Sequence, residues 1–393
     1  MDTAGIVREY GQVLQPKFLD ILRSTRGLSW ASFVLDVNKG AGGSDEYTLE
    51  VITEHPEDTS WKGASAFEAS TRRKLKVEVA KAKTFKEVRN VAPRTAQPYD
   101  PNSKNPFGRY SLGRSIGVEQ LDGPGTLGGF ITVDSAGKPR VYGLTNNHVV
   151  NIGKTTNTQP TSPTYIETGN TIYCPNYHDL EATKIQTGNS KISSYKVGKV
   201  KTASGRGLAM PVGAVHPCLV DWALIDLNTE TLKNMTSANP KLKANAQLPR
   251  TPQEQLTKPY PTSISYDPNV HLVPGMSVHK WGRTTGVTSG EVKLVRSVMN
   301  IAAAEQWKGS IHNPNGTTEI AELVVGPRRS LPFCEPGDSG SLVVDDAGHV
   351  VGLLCARAND DTLVTDIRVV FESIRAALKL GPTVAFNVTP NFA

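Results

Sequence analysis

The stretch Gly337-Asp338-Ser339-Gly340 decides how the rest of this chain is interpreted. Glycine and aspartate favour turn geometry, and such a motif by itself is most often only a turn. The residues that follow are more informative, because 341–344 are predicted as a strand, 345–348 as a turn and 349–354 as a second strand. We therefore expect the serine on a loop beside a β-hairpin.

A serine hydroxyl is a weak nucleophile at neutral pH, so it needs a neighbouring base and a third group that orients the base. Two upstream fragments supply these groups: Thr145-Asn146-Asn147-His148 and Asp221-Trp222-Ala223-Leu224-Ile225. We predict that Ser339 is the nucleophile, His148 the base and Asp221 the orienting carboxylate. The order His, Asp, Ser is that of chymotrypsin and differs from those of subtilisin and the α/β-hydrolases.

The histidine and the aspartate also have ordinary structural alternatives. His148 alone could be a strand-end histidine, and Asp226 competes with Asp221 for the catalytic role. Strand alternation favours Asp221, since apolar residues follow it on both faces of the predicted strand. Ala223 and Ile225 are expected on the face of Asp221, and Trp222 and Leu224 on the other face.

Four motifs together resemble those of trypsin-like serine proteases. Residues 145–150 resemble the histidine segment of HtrA-type proteases, and residues 221–225 resemble the aspartate strand of trypsin-like enzymes. Residues 334–340 resemble the serine loop of the streptogrisins, and residues 278–292 resemble the streptogrisin strand and glycine turn that open the second barrel. The resemblance implies a mainly β fold: a chymotrypsin-like double β-barrel with a C-terminal helix, preceded by a small α+β N-terminal region.

The activity that this resemblance implies is serine endopeptidase chemistry on a protein or peptide substrate. The backbone N–H groups of Gly337 and Ser339 are then expected to form the oxyanion hole, with no cofactor and no metal. An apolar specificity pocket is expected because Phe333 replaces the acidic pocket floor of trypsin, although Glu335 or Arg357 would change that preference. The expected pocket residues are Phe333, Cys334, Glu335, Leu354, Cys355 and Ala356.

Two other functions use the same motifs. A protease-like scaffold would bind partners through residues 1–108 with little turnover, but its mark would be a broken triad or serine loop, and neither is broken. An esterase would use the same acyl-transfer chemistry. The resemblance to peptidases ranks the endopeptidase first.

Activation is expected to need no proteolytic cut. In zymogen-type relatives the residue at Asp338 would pair with a freed N-terminus. No basic cleavage site precedes an Ile-Val start near residue 120 in this chain. We therefore predict that the protein is synthesised in a competent form.

Composition limits the partners and the compartment. The chain has 393 residues and a net charge of +6, which does not indicate nucleic-acid binding. The N-terminal residues lack a basic and apolar signal sequence, and no segment is apolar for long enough to span a bilayer. We therefore expect an intracellular protein, cytoplasmic or nuclear, with no membrane partner; the sequence leaves the oligomeric state open.

The four cysteines are too few to stabilise a chain of this size by disulfide bonds, and a cytosolic setting would keep them reduced. Cys334 and Cys355 are the only pair expected to lie close together. A zinc site is considered and disfavoured because its His-X-Cys spacing is unusual. Its four residues are treated as ordinary loop and strand positions: Cys174, His178, His216 and Cys218.

The chain is expected to divide into an N-terminal region, 1–108, and a protease domain, 109–393. The first is predicted to contain a helix between Thr3 and Arg26, interrupted at Pro16, and strands over residues 32–37, 47–53 and 75–79. The second is divided into barrel one over about 118–227, a connector over 228–262, barrel two with a C-terminal helix over 263–381, and a tail over 382–393.

Overall fold

The computed structural model describes residues 10, 14–24, 32–39, 45–53, 75–81, 112–118, 123–135, 138–150, 169–188, 190, 195–228, 264–293, 296–301, 317–327, 332–358 and 361–389. The predicted connector between the barrels, over residues 228–262, lies outside this set except for its first residue.

The N-terminal region contains one helix and three strands that the structure describes. They are α1 (Gln15–Ser24), β1 (Ser32–Lys39), β2 (Asp45–Thr53) and β3 (Leu75–Lys81), with β1 antiparallel to β2 and β2 parallel to β3. All three predicted strands are confirmed. Pro16 lies in the first turn of α1, where its missing N–H has no intrahelical acceptor to lose.

Barrel one is built from strands that follow the N-terminal region in the chain. They are β4 (Arg114–Val118), β5 (Gly125–Leu127), β6 (Gly129–Ser135), β7 (Lys138–Thr145), β8 (Thr171–Cys174), β9 (Tyr195–Ala203), β10 (Gly207–Ala209), β11 (Cys218–Val220) and β12 (Ala223–Leu227). Two helices interrupt them, α2 (Asn147–Val150) and α3 (Tyr177–Thr187). The strands β10 and β11 form a separate antiparallel pair just before Asp221.

Barrel two contains the serine hairpin. Its strands are β13 (Ser277–Gly282), β14 (Gly286–Val292), β15 (Ser297–Asn300), β16 (Glu319–Pro327), β17 (Leu342–Asp345), β18 (Val350–Ala358) and β19 (Asp361–Asp366), followed by α4 (Ile367–Ala377) and β20 (Phe386–Thr389). Six strands close into a barrel in the order β13, β17, β18, β19, β16, β14, because β14 pairs with both β13 and β16.

The other large sheet curls into a half-barrel in the order β20, β6, β7, β12, β9, β8, β4, β5. A closed barrel beside a curled half-barrel is the predicted double-barrel architecture, so the mainly β fold class is confirmed. The segment predicted as a tail, 382–393, contributes β20 to this sheet, where Val388 pairs with Ile131 of β6. Apolar alternation in a four-residue strand is too short to predict that pairing.

The two halves share one apolar core. Trp222 and Leu144 of barrel one and Trp281 of barrel two are buried in the same cluster as Phe371 and Ile374 of α4. The amphipathic spacing in residues 367–378 predicted this helix, and the structure confirms it. This core holds together the ends of the strands that carry the candidate site.

The N-terminal region is continuous with barrel two. Strand β1 pairs antiparallel with β15, with Phe33 opposite Val298. Phe33 is packed with Phe18 of α1 in a cluster that also contains Val298 and Ala321 of barrel two. Arg23 adds an ion pair to Glu319, so backbone, apolar and ionic contacts all join this region to the barrel. None of the helices that the structure describes is long and apolar enough to cross a membrane.

Candidate active site

Ser339 lies on the turn that precedes β17, as the sequence predicted. Gly337 and Gly340 on either side have φ angles of +97° and +93°, a region that favours glycine. A Cβ at Gly340 would lie 2.4 Å from Thr126 O and from Thr145 Oγ1 of barrel one. The serine turn is therefore pressed against the other barrel, and only glycine allows that approach.

His148 and Asp221 meet at two points. The Nδ1 atom of His148 lies 2.5 Å from Asp221 Oδ2, and its backbone N–H donates to Asp221 Oδ1 over 3.0 Å. Both side chains are buried, at 5% and 2% relative exposure. His148 is in α2, which follows β7, and Asp221 lies between β11 and β12, the second of which pairs with β7. The pairing of these two strands brings the residues together.

The alternative aspartate, Asp226, is exposed on β12, whereas Asp221 is buried. The predicted alternation along this strand is confirmed, because Ala223 and Ile225 belong to one apolar cluster while Trp222 and Leu224 belong to another.

The charge on Asp221 is favoured despite its burial. Burial raises the pKa of this carboxyl, but the interactions with the ring and the backbone N–H of His148, together with the Arg206 charge, outweigh burial and lower the pKa below its ordinary value. The amide Nδ2 of Asn146 also donates to the Asp221 backbone carbonyl over 2.6 Å. Asp221 is thus held as an ionised acceptor beside the imidazole.

Three buried side-chain atoms at this place have no hydrogen-bond partner among the described residues: Ser339 Oγ, His148 Nε2 and Asn146 Oδ1. The backbone carbonyl of Ser339 accepts from Thr126 N–H over 2.9 Å, which fixes the serine at the barrel interface. The N–H groups of Gly337 and Ser339 likewise donate no hydrogen bond within the described part of the chain. Native proteins satisfy most buried polar groups, so these atoms make this place a candidate site.

Asp338 is the anchor of the serine turn. Its Oδ2 lies 2.9 Å from Lys280 Nζ, and its oxygens also accept from the backbone N–H groups of Thr284 and Glu335 and from the hydroxyl of Thr285. Asp338 and Lys280 are both completely buried. Lys280 lies within the motif of residues 278–292, but no role was predicted for it because the burial of a lysine is not visible in sequence.

The residues expected to form the specificity pocket are buried, with one exception. Phe333, Cys334 and Leu354 belong to one apolar cluster, and Cys355 and Ala356 belong to a neighbouring one. Glu335 is partly exposed and pairs with Arg357, with 2.9 Å between Arg357 Nη1 and Glu335 Oε2. The two charges that could alter the pocket preference therefore neutralise each other.

All four cysteines are buried free thiols. Burial raises the pKa of Cys355 well above its ordinary value, and nearby Glu322, Asp221 and Cys218 raise it further. No group of three or more metal-ligating side chains occurs among the described residues. The residues of the disfavoured zinc site lie on separate elements, Cys174 in β8, His178 in α3 and Cys218 in β11, with His216 before β11.

No family model and no curated protein matches this chain. A solved glutamic-acid-specific serine protease, which uses a histidine triad in substrate binding, is similar at 14% identity and a TM-score of 0.31, over 70% of this chain and 97% of that chain.

Protease A of Thermobifida fusca is similar at 11% identity and a TM-score of 0.31, over 72% of this chain and 100% of that chain. A serine endoprotease from Yersinia pestis is similar at 11% identity and a TM-score of 0.29, over 72% of this chain and 68% of that chain. Each of these similar structures is a protease, and similarity at this level assigns no role to any residue of this chain.

Proposed function

We propose that this protein is a serine endopeptidase that acts through Ser339, His148 and Asp221. One observation carries the proposal: the buried two-point contact of His148 with Asp221, beside a barrel interface that holds Ser339 Oγ and His148 Nε2 without partners among the described residues. Leaving two polar atoms buried and unpaired costs free energy of about 1 to 3 kcal/mol each. A catalytic use explains why the fold retains them.

The direction of proton transfer follows from the His148–Asp221 contact. In the proposal, His148 Nδ1–H donates to the Asp221 carboxylate, which leaves the lone pair on Nε2 and makes Nε2 the base. As the Ser339 oxygen bonds to the peptide carbonyl carbon, its proton moves to Nε2. The imidazolium then gives that proton to the leaving amine, the C–N bond breaks and an acyl-enzyme remains. Water repeats the sequence, with the acyl–oxygen bond breaking and Ser339 recovering its proton.

The developing oxyanion needs donors that are already in place. In the proposal these are the N–H groups of Gly337 and Ser339, which make no other hydrogen bond in the described part of the chain. Asp338, which lies between Gly337 and Ser339, is fixed by an ion pair with the buried cation Lys280. That pairing supports the prediction that no freed N-terminus is required for activity.

The proposed substrate is a protein or peptide with an apolar side chain before the scissile bond. The support is the mutual neutralisation of Glu335 and Arg357, the two charges that would otherwise favour a charged side chain. The chemistry requires no cofactor. We further propose an intracellular setting, which the four free cysteines favour.

The test is labelling of the full chain by a fluorophosphonate probe, read by intact mass and accompanied by casein cleavage. Wild type is compared with Ser339→Ala and His148→Ala, and with Ser265→Ala and His271→Ala as controls outside the site. We expect one adduct on Ser339 that requires His148, with matching proteolysis and unaffected controls. A folded wild-type protein that takes no label contradicts the proposal and favours a binding scaffold. Labelling without proteolysis contradicts endopeptidase activity and favours an esterase.

A further inference from the structure

Asp179 and Arg283 join helix α3 of barrel one to the turn between β13 and β14 of barrel two. Arg283 Nε donates to Asp179 Oδ2 over 2.7 Å, and Arg283 Nη2 donates to Asp179 Oδ1. The Arg283 side chain is 2% exposed and that of Asp179 is 13% exposed. A buried, two-point guanidinium–carboxylate contact fixes orientation as well as distance.

The barrel-one end of this contact is held rigidly. Asn176 caps α3, because its side chain accepts from His178 N–H over 2.9 Å. The backbone N–H of Asn176 donates to Ser115 Oγ of β4 over 3.2 Å. Asp179 lies in the first turn of α3, where the helix dipole favours a negative charge. These contacts hold the first turn of α3, and with it the backbone of Asp179, independently of Arg283.

The other side of the Arg283 guanidinium faces the serine turn. A Cβ built on Gly337 would lie 2.6 Å from Arg283 Nη1 and 2.4 Å from Thr284 Oγ1. Nη1 donates to Thr284 Oγ1 over 3.2 Å, and that hydroxyl donates to the Pro336 carbonyl over 2.5 Å. The guanidinium and the hydroxyl thus pack directly against the backbone that presents the Gly337 N–H.

The backbone of Arg283 acts on the same glycine. Its N–H donates to Thr126 Oγ1 over 3.0 Å, and the Thr126 hydroxyl donates to the Gly337 carbonyl over 2.8 Å. Any displacement of Arg283 is therefore transmitted to Gly337 through two independent routes.

We propose that Asp179 is a positioning residue for the oxyanion hole, acting through Arg283 on Gly337. The proposal rests on the proposed serine protease function. The carboxylate holds the guanidinium against the Gly337 Cα, and this keeps the Gly337 N–H directed at the reacting carbonyl oxygen. Asp179 touches neither substrate nor Ser339, so its effect is expected on transition-state stabilisation and not on substrate binding.

The experiment compares Asp179→Asn with wild type, measuring kcat and KM on fluorescein-labelled casein and the rate of fluorophosphonate labelling. Loss of one oxyanion donor costs about 100-fold or more, and partial misalignment is expected to lower kcat and the labelling rate by about tenfold to 100-fold, with KM changed less than about twofold. Asp179→Glu is expected to recover most of the loss. Glu181→Gln, which removes the Lys184 ion pair of the same helix, is the matched control and is expected to leave all rates unchanged.

The proposal is overturned if folded Asp179→Asn keeps wild-type kcat and labelling, or if only KM changes. If Asp179→Asn does not stay folded at the assay temperature, Arg283→Lys takes its place, since it keeps the charge but loses the planar fork. Arg283→Lys is then expected to lose about tenfold in kcat at unchanged KM, and a wild-type rate in that variant overturns the proposal. Absence of any label on wild type contradicts the proposed function itself, a result distinct from a selective failure of the Asp179 variants.

Discussion

The ammonium group of Lys280 lies 2.9 Å from the carboxylate of Asp338, and neither side chain is exposed to solvent. Asp338 immediately precedes Ser339, so this pair determines the shape of the serine turn from inside barrel two. The surrounding hydrogen bonds from Thr284, Thr285 and Glu335 satisfy the remaining lone pairs of Asp338. A buried pair in such a network is costly to break from one side, since the remaining charge is left uncompensated.

Lys280→Met is therefore expected to lower the free energy of unfolding by about 3 to 5 kcal/mol and to abolish fluorophosphonate labelling. Chemical denaturation and intact mass measure the two effects. Lys184→Met is the control, because the Lys184–Glu181 pair is on the surface and its loss is expected to cost no more than about 1 kcal/mol. An unchanged unfolding midpoint in Lys280→Met would show that Asp338 does not depend on the cation.

Asp221→Asn is expected to lower kcat on casein by about 10⁴-fold with little change in stability, because an amide no longer fixes the imidazole tautomer. The exposed aspartate of β12 provides the control: Asp226→Asn is expected to retain wild-type turnover. Equal losses in the two variants would refute the assignment of Asp221.

Glu322→Gln is expected to change how stability depends on pH. Burial raises the pKa of Glu322 to about 8 from its ordinary value of 4.5, although the Leu219 N–H and the Arg296 charge oppose the shift. Because the folded-state pKa is the higher one, the contribution of this carboxyl to stability is complete below pH 4.5 and is lost as pH rises through about 8.

At pH 8 the Glu322→Gln variant is therefore expected to be more stable than wild type by about 3 to 5 kcal/mol, with a smaller difference near pH 5. Urea denaturation across this pH range measures the effect. Glu372→Gln, at a largely exposed glutamate, controls for the change of net charge. A difference that is the same at every pH would exclude titration of Glu322 as the cause.

Phe33→Ala tests whether the N-terminal region unfolds together with barrel two. Phe33 is completely buried, stacks edge-to-face on Phe18 at 5.3 Å and is opposite Val298 in the β1–β15 pair. Truncation is expected to lower the free energy of unfolding by about 3 to 5 kcal/mol and to lower the temperature of a single unfolding transition. Lys17→Ala, on the exposed face of α1, is expected to leave the transition unchanged. Two separate transitions, with only one shifted, would show that the region is an independent domain.

Local patterns predicted the elements that local physics controls. The turn residues 345–348 predicted the β17–β18 hairpin, and spacings of three and four predicted α4, because turn geometry and amphipathicity are encoded over a few neighbouring residues. Helix α3 was not predicted, since Cys174 and His178 were interpreted only as loop and strand positions.

The sequence by itself determined the candidate residues Ser339, His148 and Asp221, their order and the mainly β architecture, because residue type and strand alternation are local properties. The tertiary structure decided which charges are buried together. Lys280 with Asp338 and Asp179 with Arg283 are each far apart in the chain, and a buried ion pair forms only where the packing of whole strands removes both groups from water at one point. The tertiary structure also decided that β1 pairs with β15 in the sheet of barrel two and that β20 pairs with β6 in the sheet of barrel one. Hydrogen bonding between distant strands depends on which sheet edges the fold leaves open.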